Sequence, residues 1–486
     1  MKSLNLFTYL DSSFKTYYYV NKENYLVNKL YMKFLILDVY PNNDWRLVKD
    51  TAGGYGTGND FGTSIFSKLI NKFVSKMIAM PQMYAIYVYT IIKNKGNEVN
   101  YTRNINDLSK IQEADYIIMP TSIIAHETEN KVLSSILKQK KKVFLIGIFG
   151  NVMKNEYKDI NSYVVKGEPE NFFLNLIYEK EKINLYFHEG TDERNSINGM
   201  VLNLDDLPFP DWEYYVKKYP LKNNFVGFNS KIAIPLSATR GCPYSCFHYC
   251  TYPLQQGRKV RYRSVGNIIN EIKYWIKKLN TNKFIFRDPV FSINRKFTVS
   301  FCEQIIKENL KIEFLIETHL KNLDDELIKL LKLAGLKMVY VGVESSSSNV
   351  LKGINRFTVN NDQQYLTIKK LKENGIIVKS MFMLANPDDD IDTIKETIEY
   401  SKFLPNKLVQ FSVFTPYPGT PAYNDFKDKI IVQDYEKYNQ YNLVYKHKSI
   451  DNKILIKLKN QAYRKFYFDI RNFFVIFMSL ISFVRK

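Results

Sequence analysis

From residue 32 the chain alternates short apolar runs with longer stretches whose apolar positions recur every three to four residues. The runs KFLILD (33–38), DYIIMP (115–120), KVFLIG (142–147) and SYVVK (162–166) have the length of buried strands. A helical period fills about 62–77, 82–95 and 128–139 between them. Strands alternating with helices predict an α/β domain built on a doubly wound parallel sheet. Ligands on such sheets sit beyond the carboxyl ends of the strands. Here those ends are Pro120-Thr121-Ser122, Gly147-Ile148-Phe149-Gly150 and Lys166-Gly167-Glu168.

The rhythm stops at 187–231, where Leu207-Pro208-Phe209-Pro210-Asp211-Trp212 excludes a helix interior. That segment reads as a linker. Alternation returns over 232–419, with strands expected at 232–239, 283–288, 312–317, 337–342, 376–383 and 408–414. Helices fall between them near 265–279, 297–308, 324–334, 361–374 and 390–403. Six such units predict a partial (β/α)6 barrel, with its chemistry at the carboxyl ends of the strands. The domain plan is then an extension (1–31), a Rossmann-like domain (32–186), the linker (187–231), the barrel (232–419) and a helical C-terminal region (420–486). Met32-Lys33-Phe34 has the look of a natural start, so residues 1–31 read as an extension outside the native protein.

Composition changes this picture little. The 486 residues carry a formal charge of +20, and Lys138–Lys142, broken by Gln139, is the densest basic run. A diffuse basic surface is the expectation, and nucleic acid is not expected as a partner. Only the segment Phe473–Val484, flanked by Arg471, Arg485 and Lys486, is strongly apolar, and it is shorter than a membrane span. It suits an interfacial segment or a buried terminal helix equally. No secretory leader opens the chain, so a reducing cytoplasm is expected, peripheral to the membrane's inner face if the tail docks there.

Three of the four cysteines lie within nine residues, in Thr239-Arg240-Gly241-Cys242-Pro243-Tyr244-Ser245-Cys246-Phe247-His248-Tyr249-Cys250, directly after the first barrel strand. Three closely spaced thiolates suit three corners of a [4Fe–4S] cubane, leaving one iron open. Zinc, with His248 as a fourth ligand, and chance grouping remain open on the residues alone, although two-residue gaps on both sides of His248 are awkward for a tetrahedron. Cys302 falls in an amphipathic pattern and reads as core. The loop Gly53-Gly54-Tyr55-Gly56-Thr57-Gly58 has the wrong spacing and place for a dinucleotide fingerprint. A loop covering cofactor or substrate and a phosphate cradle are equal readings of it.

These residues together resemble the radical S-adenosylmethionine enzymes with an N-terminal cobalamin-binding domain, over about 32–425. The anchors are Thr239-Arg240-Gly241-Cys242, Phe286-Arg287-Asp288, Glu317, Ala334-Gly335, Val341-Gly342-Val343-Glu344-Ser345 and Phe414-Thr415-Pro416-Tyr417-Pro418-Gly419-Thr420-Pro421. The resemblance implies a [4Fe–4S] cluster on Cys242, Cys246 and Cys250 that cleaves S-adenosylmethionine to a radical. It places Tyr249 near the adenine, Glu317, Gly342 and Glu344 at the S-adenosylmethionine site and Asp288 at the site mouth. It also implies cobalamin held against Ser122, Gly147, Gly150, Gly167 and Glu168, with no protein histidine on cobalt; His126 reads as a surface residue. Two departures stand out: the spacing C-x3-C-x3-C in place of C-x3-C-x2-C, and Asn386-Pro387-Asp388-Asp389-Asp390 where a Gly-x-Pro-Gly-Glu turn is common.

The function expected from this resemblance is cobalamin-dependent methyl transfer to an unactivated carbon or phosphorus under anaerobic conditions. A radical cyclase, oxidase or rearrangement enzyme is the alternative, and a non-catalytic iron–sulfur or corrinoid sensor a third reading. The set Asp288, Glu317 and Glu344 favours an enzyme. The 241 residues before Cys242 contain no cysteine, which argues against a second cluster of the kind transfer-RNA methylthiotransferases carry. An external electron donor such as flavodoxin or ferredoxin is implied. The substrate is unassigned; the aromatic, basic tail would suit a lipid-linked or anionic one.

Overall fold

The computed structural model describes residues 31–41, 46–75, 80–157, 159, 161–187, 199–219, 232–357 and 359–469. The expectations for residues 1–30 and for the apolar tail 473–484 therefore lie outside the described residues. The strands are β1 (Lys33–Leu37), β2 (Arg46–Val48), β3 (Thr57–Asn59), β4 (Glu98–Thr102), β5 (Tyr116–Pro120), β6 (Lys142–Ile146), β7 (Ser162–Val164), β8 (Ala233–Leu236), β9 (Thr239–Arg240), β10 (Arg261–Tyr262), β11 (Lys283–Phe286), β12 (Glu313–Thr318), β13 (Leu336–Glu344), β14 (Ile377–Leu384) and β15 (Leu408–Val413).

The first domain is a five-stranded parallel sheet in the order β4-β1-β5-β6-β7. In chain order this is 2-1-3-4-5, a doubly wound sheet whose switch point lies between β1 and β5. β5 is buried throughout because helices cover both faces. The sequence pattern missed β4, whose polar Glu98 and Asn100 break the apolar run at the sheet edge. It also missed the short antiparallel pair β2–β3, which holds the glycine-rich loop.

The second domain is an open, wholly parallel sheet in the order β15-β14-β13-β12-β11-β8. All six expected strands are present, as are the five expected helices. Partly exposed and buried positions alternate along β13, β14 and β15. The buried set packs against helices; the other lines the inner face. Phe286, Phe291, Phe301 and Phe314 form a buried aromatic group beneath β11 and β12. Truncating one such ring costs about 3–5 kcal/mol.

The described part of the linker, 199–219, is packed rather than free. Trp212 and Tyr215 are fully buried, Tyr214 stacks on Tyr89 at 4.4 Å, and Lys93 pairs with Asp211 at 2.8 Å. No described helix is long and apolar enough to cross a membrane.

Candidate active site

The cysteine loop is bracketed by the antiparallel pair β9–β10, which aligns Arg240 with Arg261. Cys242 N–H donates to Gly257 O at 3.1 Å, closing the base of the loop. A short helical turn at Ser245–His248 follows. Cys250 N–H donates to Cys246 O at 3.0 Å, an i to i+4 bond. Residues three or four apart both lie on one face of a helix. The extra residue is thus absorbed by widening one turn, and Cys246 and Cys250 still share a face. The thiols are close enough to raise one another: Cys242 is pushed up to about 11, chiefly by burial and then by Cys246. Burial, followed by Cys246, pushes Cys250 up further. Neighbouring thiols held protonated by burial are relieved when metal replaces the protons, so this donor set fits an iron–sulfur cubane.

Among the described residues no three His, Cys, Asp or Glu side chains converge tightly enough for a single metal ion. His248 pairs with Asp425 through Nε2 at 2.7 Å, while its Nδ1 is buried without a partner among the described residues. Cys302 lies fully buried in the core, its thiol pushed up to about 12 by burial.

Two carboxylates come from the next strands. Glu317 projects from β12, with its pKa pushed up to about 6 by burial against the pull of Arg287 and Lys379. Glu344 ends β13 at a bulge: Gly342 faces Met381 and Glu344 faces Phe382, leaving Val343 extra. The bulge holds Glu344 at φ +65°, outside the usual region for a side-chain-bearing residue. Burial raises the Glu344 carboxyl, opposed by Arg356. A Cβ on Gly342 would meet the ends of the Glu344 and Arg356 side chains, so a larger residue there would have to displace both.

Arg356, which the sequence reading did not single out, ties these parts together. Its Nη2 donates to Gly342 O at 3.1 Å and lies 3.4 Å from Glu344 Oε1, while Nη1 is 3.6 Å from Cys246 Sγ. Its Nε is buried without a partner among the described residues. Lys379 is a second missed residue. Glu317, Tyr340 and Lys379 are register neighbours on β12, β13 and β14, and Lys379 Nζ donates to Gln410 Oε1 at 2.6 Å. A lysine inside the otherwise apolar run IIVKSMFML was the available signal. Tyr249 is half-buried against Phe414, its ring centroid 6.0 Å away.

Other expected contacts are spent on the protein itself. Asp288 is not at the site mouth: it is buried and accepts N–H bonds from Ala238 at 3.1 Å and from Thr239. It shapes the entry to the cysteine loop. Glu168 is a strap between domains, with 2.8 Å bonds from both Arg261 Nη atoms and a 3.3 Å pair with Arg240. Ser122 gives its N–H and hydroxyl to Glu129, which also pairs with buried Lys49 at 2.8 Å. A Cβ on Gly147 would meet the Tyr84 hydroxyl; Gly150 N–H donates to Thr121 Oγ1 at 3.0 Å; Gly167 bridges to Gly199. His126 is not a surface residue but buried, bonded to Tyr157 at 3.0 Å, and burial lowers its pKa. The turn at Asn386 is held by Asp389, which accepts the Asn386 N–H at 2.8 Å.

The glycine-rich loop lies against the segment that follows Cys250. A Cβ on Gly53 would stand 2.9 Å from the Thr251 backbone, and Tyr55 is fully buried with its hydroxyl on Pro418 O at 2.6 Å. It is therefore a cover over the cysteine loop. Between the two sheets' carboxyl ends, a cavity lined by Asp50, Tyr84, Glu170, Arg240, Tyr252 and Arg287 has a volume of about 50 Å³. That room suits a water or two.

Residues 236–401 match the Radical SAM superfamily. The anaerobic magnesium-protoporphyrin IX monomethyl ester cyclase of Rubrivivax gelatinosus is 27% identical over 329 residues, covering 63% of this chain and 56% of that protein. An uncharacterized methyltransferase of Pyrococcus horikoshii is 27% identical over 315 residues, covering 63% and 67%. The chain thus spans from a little over half to two thirds of these relatives' length. Among solved structures, OxsB with aqua-cobalamin and S-adenosylmethionine aligns with a TM-score of 0.64 at 14% identity, covering 90% of this chain and 67% of that one. TsrM from Kitasatospora setae, with cobalamin and a [4Fe–4S] cluster, aligns at 0.55 and 14%, covering 82% and 78%. These last two share the fold with this chain, as its paired parallel sheets already indicated. The cysteine loop and the carboxylates on successive strands thus lie within the segment, 236–401, that matches the Radical SAM superfamily, and this chain carries a radical SAM domain.

Proposed function

We propose that the protein reductively cleaves S-adenosylmethionine at a [4Fe–4S] cluster ligated by Cys242, Cys246 and Cys250, and applies the radical to methyl transfer at an unactivated carbon or phosphorus. The observation that carries the first part is the placement of the three thiols at the end of β8, with Glu317, Glu344 and Arg356 converging from neighbouring strands and loops. When bound, the cluster supplies one electron and an open iron for the amino and carboxylate groups of S-adenosylmethionine. Glu344 and Glu317 provide acceptors for a cationic ammonium. Arg356 balances their charge and that of the Cys246 thiolate. Tyr249 and Phe414 offer an apolar wall for the adenine.

Methyl transfer is supported by relatives named as methyltransferases, among them the bacteriochlorophyllide d C-12(1)-methyltransferase of Chlorobaculum tepidum. The cyclase relatives support ring closure as the second reading. Likeness in fold to OxsB and TsrM, both solved with cobalamin, supports a corrinoid as second cofactor.

The test is anaerobic reconstitution with iron and sulfide, with and without cobalamin, followed by S-adenosylmethionine turnover under dithionite. Formation of 5′-deoxyadenosine, lost in Cys242→Ala, Cys246→Ala and Cys250→Ala but kept in Cys302→Ala, is expected. Release of S-adenosylhomocysteine together with deoxyadenosine supports methyl transfer; deoxyadenosine alone supports the second reading. Absence of both products from a protein with a full cluster complement would refute the enzyme assignment. Failure to retain cobalamin on gel filtration would remove the corrinoid.

A further inference from the structure

The helix Ile65–Ser75 carries two of its apolar residues outward. Ile65 is 83% exposed and Leu69, one turn on, is 63% exposed, so both sit on one solvent-facing stripe. Lys68 and Lys72 are exposed beside them. An amphipathic helix of a soluble domain normally turns such a stripe to the core.

This helix lies beside the last described helix, Asn452–Tyr467. Asn460 Oδ1 accepts the Thr63 N–H at 3.1 Å, and Lys459 pairs with Asp60 at 3.0 Å. Ile456, one turn before Asn460, is 38% exposed on that side, and Phe468 at the helix end is 55% exposed. Neither helix contains an Asp or Glu, whereas Asn452–Tyr467 carries Lys453, Lys457, Lys459, Arg464 and Lys465. Lys459 is buried against Asp60 and Lys465 pairs with Glu399, which leaves Lys453, Lys457 and Arg464 as the exposed cations of that helix. The chain then continues past residue 469 into FFVIFMSLISFV, bounded by Arg471, Arg485 and Lys486.

We infer that this corner of the molecule is a docking surface for an anionic lipid membrane. Exposed aliphatic and aromatic side chains supply burial at the headgroup boundary. The surrounding lysines and arginines supply attraction to acidic headgroups. No described helix can span, so the contact is peripheral. The surface includes none of the residues assigned to the cluster or to S-adenosylmethionine, so this inference does not depend on the reaction proposed above.

The experiment is co-sedimentation of the full chain with vesicles of phosphatidylglycerol and phosphatidylcholine, against vesicles of phosphatidylcholine alone. Binding is expected to the acidic vesicles only and to weaken with salt. The double variant Ile65→Glu/Leu69→Glu should lower the bound fraction at least about tenfold, because it places two carboxylates against acidic headgroups. Leu333→Glu, at an equally exposed leucine (74%) on the barrel, should bind as wild type. Equal binding of wild type and double variant would overturn the inference. So would a wild-type chain that ignores acidic vesicles, or one that self-associates through this stripe, a dimer that Ile65→Glu/Leu69→Glu dissolves.

Discussion

At the scale of the residue, carboxylates that look alike in sequence divide by what surrounds them. Asp288 is consumed by two backbone N–H groups, whereas Glu344 meets Arg356 and Glu317 faces the inner side of the sheet. Burial pushes Asp288 up to about 6 from an ordinary value of 3.8. Between those two pH values the folded state holds a proton that the unfolded chain has released. Stability from this group is therefore present at acid pH and is lost as pH rises through about 6. Denaturant titrations should show wild type losing up to about 3 kcal/mol more than Asp288→Asn between pH 4 and pH 7. Glu344 argues differently, since its role is at the site. Glu344→Gln keeps the shape and removes the charge, and a charge-assisted bond is worth about 1.5–3 kcal/mol. A fall of about 10- to 100-fold in kcat/KM for deoxyadenosine formation is expected, with the iron content unchanged.

At the scale of the element, the cysteine loop shows why spacing alone misleads. One extra residue left the path of the loop open, not its ligands. The backbone closes an i to i+4 bond from Cys250 to Cys246, which leaves both thiols on one face. His248 sits inside that turn with its Nε2 engaged by Asp425, which is 59% exposed. His248→Ala should therefore retain wild-type iron and sulfide after reconstitution, and a loss comparable to Cys246→Ala would show that the histidine holds the cluster. The bulge in β13 makes the complementary point. No pattern of apolar residues announces it, because it comes from register between β13 and β14. Yet it fixes where Glu344 stands.

At the scale of the whole molecule, the two sheets face each other across buried ion pairs. Arg261 forks onto Glu168, Arg240 lies between Glu168 and Glu170, and Arg287 reaches Asp50 at 2.8 Å. Breaking one buried partner leaves the other uncompensated and costs about 3–5 kcal/mol. Arg261→Met should lower stability by that amount in chemical unfolding, and Glu168→Met with Arg261→Met together should cost less than the sum of the singles. Additive losses would show that the pair is not coupled.

The alternation of apolar runs and helical periods was enough to read both parallel sheets, the six strands of the second and the place of the cysteine loop, because periodicity records which faces are buried. The three thiols were legible for the same local reason: their chemistry lies within nine residues. What contacts lay across 50 or 100 residues was not legible. Arg356 beside Cys246, Asp288 under Thr239, Glu168 on Arg261 and Glu129 on Ser122 are long- or medium-range pairings, or turns back on the chain, that no local pattern encodes. Whether a polar residue at a strand end faces a cofactor or its own protein depends on which partner reaches it first, and only the packed chain decides that.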